Sequence, residues 1–225
     1  PANLAATDQT TDTPTNNFAT LNPLVPITNT QSEGNLKTST AVGNAIPSTI
    51  GVSSGKWYAE VFFVSGTHCR IGITNLAGVG ELHGFAAGNS WVKVNGSSFY
   101  HDSTQISSQG QAITSGDIVM IAVDIDAGKI WWGKNGTWDD NASGTGVPAT
   151  GAYPTYTGDT GISNGGEIFF AVASGSGTLV FEANFGNPSF AISSGNADAN
   201  DYGNFEYAVP SGYYALCTKN LAEFG

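Results

Sequence analysis

The sequence has few charged residues, and those it has are mostly acidic. Only 11% of the 225 residues are charged, and seven Lys and Arg residues face 18 Asp and Glu residues, for a formal net charge of −11. A soluble chain usually devotes about a quarter of its residues to charge. A chain this acidic, without a basic stripe, repels phosphate backbones and anionic lipid surfaces, so we expect no nucleic acid as a partner.

Long apolar runs, cysteines and histidines are also scarce. No stretch of about 18 apolar residues occurs, so we expect no membrane insertion. Cys69 and Cys217 do not make a disulfide scaffold; two buried free thiols are the simpler interpretation, and their pairing stays open. His68, His83 and His101 lack the spacing of a histidine metal site, so we expect no cofactor from them.

Glycine, by contrast, is abundant. The 30 glycines fall between short apolar runs, a pattern typical of many short strands joined by turns. No segment sustains the apolar spacing of a helix, so we predict an all-β fold with almost no helix. Hydrophobic residues make up 40% of the chain, enough for one large sandwich. We predict an N-terminal arm at 1–17, a single domain at 18–220 and a C-terminal tail at 221–225.

Alternation of side chains locates the individual strands. Residues 118–125 are apolar on both faces, which predicts the middle of a buried sheet, and Gly128 closes a tight turn into a return strand at 129–134. Buried positions follow from the same alternation, and we expect them at Trp57, Val61, Val123, Phe181 and Phe185. The other predicted strands are 18–24, 36–42, 56–64, 69–74, 99–101, a hairpin of 167–173 with 178–185, and 213–218. We expect 69–74 to pair with 56–64 through a turn at 65–67.

Three segments resemble the SPRY family, whose fold is a bent, concanavalin-like antiparallel β-sandwich of jelly-roll type. The resemblance implies a binding domain without catalytic activity. The segments are 55–61 (GKWYAEV), then 116–124 (GDIVMIAVD) with 128–132 (GKIWW) and 134–138 (KNGTW), and finally 181–186 (FEANFG).

The ends of the chain resemble a narrower group, the bacteriophage structural proteins that carry a SPRY domain. The similar segments are 13–23 (TPTNNFATLNP) and 201–221, which contains DYGNFEY and GYYALCTKNL. This resemblance implies a virion or extracellular location in a tail fibre, head fibre or decoration protein. It also implies a role in host attachment or virion protein–protein contacts. The expected partners are other virion proteins or a host-surface glycan or protein. The resemblance is also compatible with a homo-oligomer of this chain within a larger fibre.

Catalytic patterns are weak, so we expect no enzyme. Ser163 lies in a G-x-S-x-G pattern but lacks the following helix of a nucleophile elbow. Asp124 and Asp126 share a strand face, yet the positions around them lack both glutamates of the Glu-x-Asp-x-Glu run in concanavalin-fold glycosidases, and Asp126 suits a turn. A lectin-like carbohydrate-binding module or a glycan-active enzyme remains the alternative.

A weak calcium alternative lies near the C-terminus. Asp198, Asn200 and Asp201, with Asn196 before them, resemble a calcium loop, but the spacing fails as an EF-hand because Asp201 occupies the sixth position and Glu206 the eleventh. A solvated loop is the simpler interpretation, as it is for 139–141.

Aromatic side chains provide the remaining candidates for ligand binding. Trp131 and Trp132 are adjacent on a strand and point to opposite faces, so we expect one in the core and the other available to stack on a sugar or a partner side chain. Binding loops on a rigid sandwich are predicted at 75–98, 135–150 and 157–166. The candidate ligand-binding residues are Trp131, Trp132, Trp138, Asn135, Tyr100 and Trp91.

Overall fold

A computed structural model of the chain describes residues 13, 15–25, 29–41, 45–75, 90–158 and 166–225. These residues form two large β-sheets, and the strands are numbered in chain order. A nine-stranded sheet contains β1 (Asn29–Ser32), β2 (Lys37–Thr40), β4 (Lys56–Ser65), β9 (Ile118–Asp124), β10 (Lys129–Lys134), β11 (Thr137–Trp138), β14 (Tyr156–Thr157), β16 (Leu179–Asn184) and β17 (Tyr214–Ala215). A six-stranded sheet contains β3 (Ala45–Pro47), β5 (Cys69–Asn75), β6 (Ser90–Val94), β7 (Phe99–His101), β8 (Thr104–Ser107) and β15 (Ile168–Ser174).

The remaining described elements are short. Strands β12 (Asp140–Asn141) and β13 (Gly144–Thr145) form a small hairpin, Pro148–Thr150 is a single 3-10 turn, and helix α1 spans Thr218–Phe224. The pairing within both large sheets is antiparallel, except that β17 runs parallel to β4. The predicted all-β sandwich is therefore confirmed.

Strand β9, which is apolar on both faces, lies in the middle of its sheet, as its composition predicts. Strand β9 pairs with β4 on one side and β10 on the other, inside the order β1-β2-β16-β4-β9-β10-β11. Gly128 has φ of 61° in the β9–β10 turn, a left-handed conformation that favours glycine. This hairpin is the part of the fold that the sequence specifies most directly.

Two predicted strand pairings are wrong, and for one reason. Strand β5 does not pair with β4, and β15 and β16 do not form a hairpin. Instead β4 pairs with β16 and β9, whereas β5 pairs with β15 and β6. Both turns arch from one sheet to the other across the core. Alternating apolar residues fit an arch as well as a hairpin, because each arm buries one face in either case.

The main core fills the space between the sheets. The five residues predicted to be buried are each at most 2% exposed, namely Trp57, Val61, Val123, Phe181 and Phe185. The Trp132 indole N–H donates to the Ile71 carbonyl at 3.1 Å, which joins β10 of one sheet to β5 of the other. The predicted inward faces of these strands are therefore confirmed.

A second apolar cluster covers the opposite face of the nine-stranded sheet. Tyr58 and Trp131 point outward from this sheet but are fully buried beneath the C-terminal segment, which contributes Phe205 and Tyr213. The Trp131 indole donates to the Ala152 carbonyl at 2.9 Å. The expectation that Trp131 or Trp132 would be exposed is wrong, because this second layer buries the outward-facing ring as well.

One carboxylate holds the C-terminal cover in place. Glu60 on β4 accepts hydrogen bonds from Tyr58 Oη at 2.9 Å, Asn184 Nδ2 at 3.1 Å, Glu206 N at 3.0 Å and Tyr207 N at 2.8 Å. Burial raises the pKa of Glu60, and its four donors act against that rise by favouring the charged form. The side chain is fully buried, so these donors replace its lost hydration.

The ends of the chain pack more closely than predicted. Residues 18–24 make only isolated bridges, Phe18 to Cys217 and Leu21 to Ser48, rather than an edge strand. Residues 221–224 of the predicted tail continue helix α1, and the Phe224 ring stacks on Tyr214 with centroids 3.8 Å apart. Residues 1–12 and 14 of the predicted arm lie outside the described residues, and the extent of the single domain stays a prediction.

A buried ion pair ties the two sheets together at one end. Lys93 Nζ on β6 lies 2.6 Å from Asp139 Oδ2, which follows β11, and both side chains are fully buried. The Gln111 N–H donates to Asp139 Oδ1 at 2.7 Å. Burial lowers the pKa of Lys93 and raises that of Asp139, while the opposite charge of each partner counters both shifts.

We expect Phe181→Ala to destabilise the domain by about 3–5 kcal/mol, because it empties a fully buried aromatic site. The measurement is the free energy of unfolding in urea. Val180→Ala is the matched control, since Val180 is half-buried on the opposite face of β16. A loss below about 1 kcal/mol for Phe181→Ala would contradict the observed packing.

We expect Lys93→Met to cost about 3–5 kcal/mol of unfolding free energy, because it leaves the Asp139 carboxylate buried without its cation. Adding Asp139→Asn, which keeps an acceptor for the Gln111 N–H, should restore part of this loss. Lys56→Met is the control, since Lys56 is 43% exposed in its pair with Asp124 and should cost about 1 kcal/mol or less. Equal losses for the single and double variants would contradict the role assigned to the charge.

Candidate functional site

A small pocket opens on the six-stranded sheet, at the end where β5 begins and β6 ends. Its volume is about 180 Å³, below the roughly 300–1,000 Å³ typical of sites for whole small-molecule ligands. It therefore suits a single side chain or sugar ring of a larger partner. We call it the Arg70 pocket, and its lining residues are His68, Cys69, Arg70, Val94, Asn95, Tyr100 and Gly175.

Strand alternation directs Arg70 toward this pocket. Its neighbours Cys69 and Ile71 are fully buried in the core, so Arg70 points to the other face of β5. The register places Arg70 opposite Val94 on β6 and Ala173 on β15. Two positions before Val94 on the same face, Val92 pairs with Tyr100, which brings the tyrosine ring to the same surface.

The two arching turns complete the pocket wall. The Gly175 N–H donates to the His68 carbonyl at 2.7 Å, which joins the β15–β16 turn to the β4–β5 turn. A Cβ atom at Gly175 would lie 3.1 Å from Arg70 Nε, so glycine lets the guanidinium lie against the backbone. His68 Nδ1 lies 2.7 Å from Ser176 Oγ, a contact that fixes the ring at the rim.

Arg70 gives the pocket a positive centre on an acidic protein. It is the only arginine among 225 residues whose formal net charge is −11. Partial burial lowers the pKa of Arg70, but a guanidinium remains protonated in proteins. The planar donor set favours an anionic or strongly accepting group, and partial desolvation strengthens such contacts.

The predicted binding residues do not converge on this pocket. Tyr100 lines it, but Trp91 is fully buried and stacks on His101 with ring centroids 4.5 Å apart. Trp91 is therefore not available at the surface, and neither are Trp131 and Trp132, contrary to their selection as ligand-binding residues. Trp138 is half-buried and packs edge to face on Tyr58, with ring centroids 6.3 Å apart.

Asn135 is exposed but serves the β10–β11 turn. It adopts φ of 49°, its Nδ2 donates to Asp117 Oδ1 at 2.6 Å, and its Oδ1 accepts from the Ile118 N–H at 2.9 Å. Both polar atoms of its amide are thus engaged within the domain. Of the predicted loops, 76–89 and 159–165 lie outside the described residues.

In the C-terminal loop considered for calcium, the Asp198 carboxylate is engaged in hydrogen bonds within the domain. Asp198 Oδ1 accepts from the N–H groups of Asn200 and Tyr202, and Oδ2 accepts from Ala215 N and Asn220 Nδ2, all between 2.7 and 3.0 Å. Both oxygens of this carboxylate therefore serve the loop, β17 and helix α1. The described part of the chain contains no group of three or more His, Cys, Asp or Glu side chains suited to a metal ion.

The acidic pair considered for glycoside hydrolysis also has structural contacts. Asp124 lies 2.9 Å from Lys56 Nζ and accepts the Ala127 N–H at 3.0 Å. Both oxygens of Asp126 lie 3.2 Å from the Gly55 amide nitrogen. Ser163 and His83, from the other catalytic and metal hypotheses, lie outside the described residues.

The sequence analysis did not predict that four residues converge on one pocket, namely Arg70, His68, Asn95 and Gly175. One available signal was that the only arginine occupies an outward position on a strand whose inward positions are core. The others are contributed by β6 and by two turns, so their proximity depends on the pairing of β5 with both β6 and β15. That pairing was not predicted.

The fold belongs to the SPRY-like class of β-sandwiches. No family model matches the sequence, and no curated protein matches it. Among solved structures the chain is similar to the SPRY domain of human HERC1, with a TM-score of 0.51, 15% identity, and coverage of 76% of this chain and 99% of that chain. In the described ranges, no helix is long and apolar enough to cross a membrane.

We expect both thiols to resist alkylation in the folded protein. Cys69 and Cys217 are free and fully buried, and burial raises the pKa of Cys69 to about 12, so little thiolate is present near neutral pH. Reaction with a chromogenic disulfide reagent should follow the urea unfolding curve. Rapid labelling of Cys69 without urea would mean that the floor of the Arg70 pocket is open.

Proposed function

We propose that the chain is a non-catalytic binding module of a bacteriophage virion, carried by a tail fibre, head fibre or decoration protein. It attaches the particle to a host-surface protein or glycan, or joins it to a neighbouring virion protein. The observation that carries this proposal is the Arg70 pocket, a small cationic recess fixed to a rigid sandwich. Rigid placement of polar groups lowers the entropic cost of recognition.

The size and charge of the pocket favour recognition over turnover. A volume of about 180 Å³ accommodates one anchoring group of a partner, with the surrounding rim supplying further contact area. Of the acidic residues considered for catalysis, Asp124 at the end of β9 pairs with Lys56 of β4, and Asp126 in the β9–β10 turn accepts from the Gly55 N–H. Both features agree with a binding role.

The virion assignment is supported by the terminal segments that resemble phage proteins. These segments pack together as part of the domain: Asn17 N donates to Thr218 Oγ1 at 3.0 Å, and Phe18 bridges Cys217. The surface also relies on uncharged polar residues, since only 11% of residues are charged and Lys and Arg number seven. Such a surface offers few sites to trypsin-like proteases, which suits an exposed particle.

A lectin-like function is the second candidate, because a pocket of this size also fits a single sugar ring. Tyr100 at the pocket and the half-buried Trp138 outside it provide aromatic faces on which a pyranose can stack. A glycan partner and a protein partner are distinguished by whether protease or glycosidase treatment of the target surface abolishes binding.

We expect Arg70→Ala to weaken attachment by about ten-fold or more, since a charge-assisted hydrogen bond contributes about 1.5–3 kcal/mol. The measurement is adsorption of the fluorescently labelled domain to host cells and to purified virions. Lys219→Ala is the matched control: it makes the same change in net charge at an exposed position over the Tyr202 ring. Equal binding by the Arg70→Ala variant and the native domain would exclude the pocket as the site. Release of reducing ends from host polysaccharide would contradict a non-catalytic role.

A further inference from the structure

The sequence contains three Asn-Gly pairs, at 95–96, 135–136 and 164–165. Asn-Gly pairs are chemically labile, because glycine leaves its backbone nitrogen open to attack on the preceding side-chain amide. The pair at 164–165 lies outside the described residues. The other two differ in how the fold restrains the asparagine.

The Asn135 amide is held on both sides. Its Nδ2 donates to Asp117 Oδ1 at 2.6 Å and its Oδ1 accepts from the Ile118 N–H at 2.9 Å. Rotation of this amide toward the Gly136 nitrogen requires breaking both hydrogen bonds. The fold therefore protects Asn135 from cyclisation.

Among the residues that the structure describes, none restrains the Asn95 amide in this way. Its backbone carbonyl accepts from the Ile113 N–H at 2.7 Å, but within the described residues no hydrogen bond engages its side chain. A Cβ atom at Gly96 would meet no heavy atom within 4 Å, so the adjoining backbone borders open space. Asn95 also lines the Arg70 pocket.

We propose that Asn95 is a site of spontaneous deamidation that neutralises the positive charge of the Arg70 pocket. The Gly96 backbone nitrogen loses its proton and attacks Asn95 Cγ, a new C–N bond forms, and the side-chain nitrogen leaves as ammonia. Water then opens the resulting cyclic imide at either carbonyl, giving aspartate or isoaspartate. The net change is addition of water and loss of ammonia, with no oxidant or reductant.

The product places a carboxylate in the pocket that holds Arg70. The new negative charge lines the same recess as the partly buried guanidinium and offsets it, and partial desolvation strengthens such an attraction. An anionic group of a partner then loses its attraction, so attachment declines as the protein ages. This consequence rests on the proposed binding function, whereas the chemical conversion does not.

Gly96→Ala is a matched control for the chemistry. The open space around Gly96 accommodates a methyl group, and its φ lies outside the left-handed region, so the fold should tolerate the change. The methyl group shields the attacking nitrogen and slows ring closure. Asn95→Asp supplies the charged product directly for the binding measurement.

The experiment holds the native protein and a urea-unfolded sample in warm, mildly alkaline buffer and follows each Asn-Gly peptide by mass spectrometry in ¹⁸O-labelled water. In urea the two sites should convert at similar rates. In the native protein Asn95 should keep its unfolded rate, whereas Asn135 should be roughly ten-fold or more slower because of its two hydrogen bonds. Gly96→Ala should slow only the Asn95 site.

The outcomes separate this inference from the proposed function. Protection of Asn95 equal to that of Asn135, or unchanged conversion in Gly96→Ala, overturns the deamidation site. With adsorption to host cells as the readout, native-like binding by Asn95→Asp overturns the charge effect, and reduced binding supports it. If freshly purified native protein does not adsorb at all, the attachment function fails, while the mass measurement still decides the chemistry.

Discussion

The central strands of the nine-stranded sheet are apolar on both faces, and this constraint determines the rest of the architecture. Neighbouring residues such as Trp57 and Tyr58, or Trp131 and Trp132, point in opposite directions and are all fully buried. A sheet of this kind needs a cover on each side. The six-stranded sheet covers one face, and the C-terminal segment with the ends of the chain covers the other.

Buried charges attach both covers. Lys93 and Asp139 join the two sheets across the main core, while Glu60 and Asp198 receive hydrogen bonds from the C-terminal segment and from helix α1. Each carboxylate is surrounded by donors, as burial of a charge requires. A chain with few charged residues thus uses several of its acids as structural anchors. Asp198, the first acid of the calcium pattern, is one of these anchors.

Local order could be predicted from the sequence, whereas long-range pairing could not. The alternation of side chains and Gly128 predicted the β9–β10 hairpin, and the predicted inward faces of β4, β9 and β16 are the buried ones. The same alternation is compatible with an arch or a hairpin, so the partners of β5 and β15 were missed. The burial of Trp131 depends on a segment some 70–80 residues later, and the Arg70 pocket depends on the strand pairing that was missed. No local pattern encodes either one.

The position of the pocket follows from how the two sheets are used. The outer face of the nine-stranded sheet is occupied by the chain's own C-terminal segment, so its aromatic residues stabilise the fold. On the six-stranded sheet, Arg70, Val94 and Tyr100 remain half-buried on the face opposite the core. The arching turns bring His68 and Gly175 to this same edge because each turn passes from one sheet to the other. The arches that close the core therefore also build the wall of the pocket.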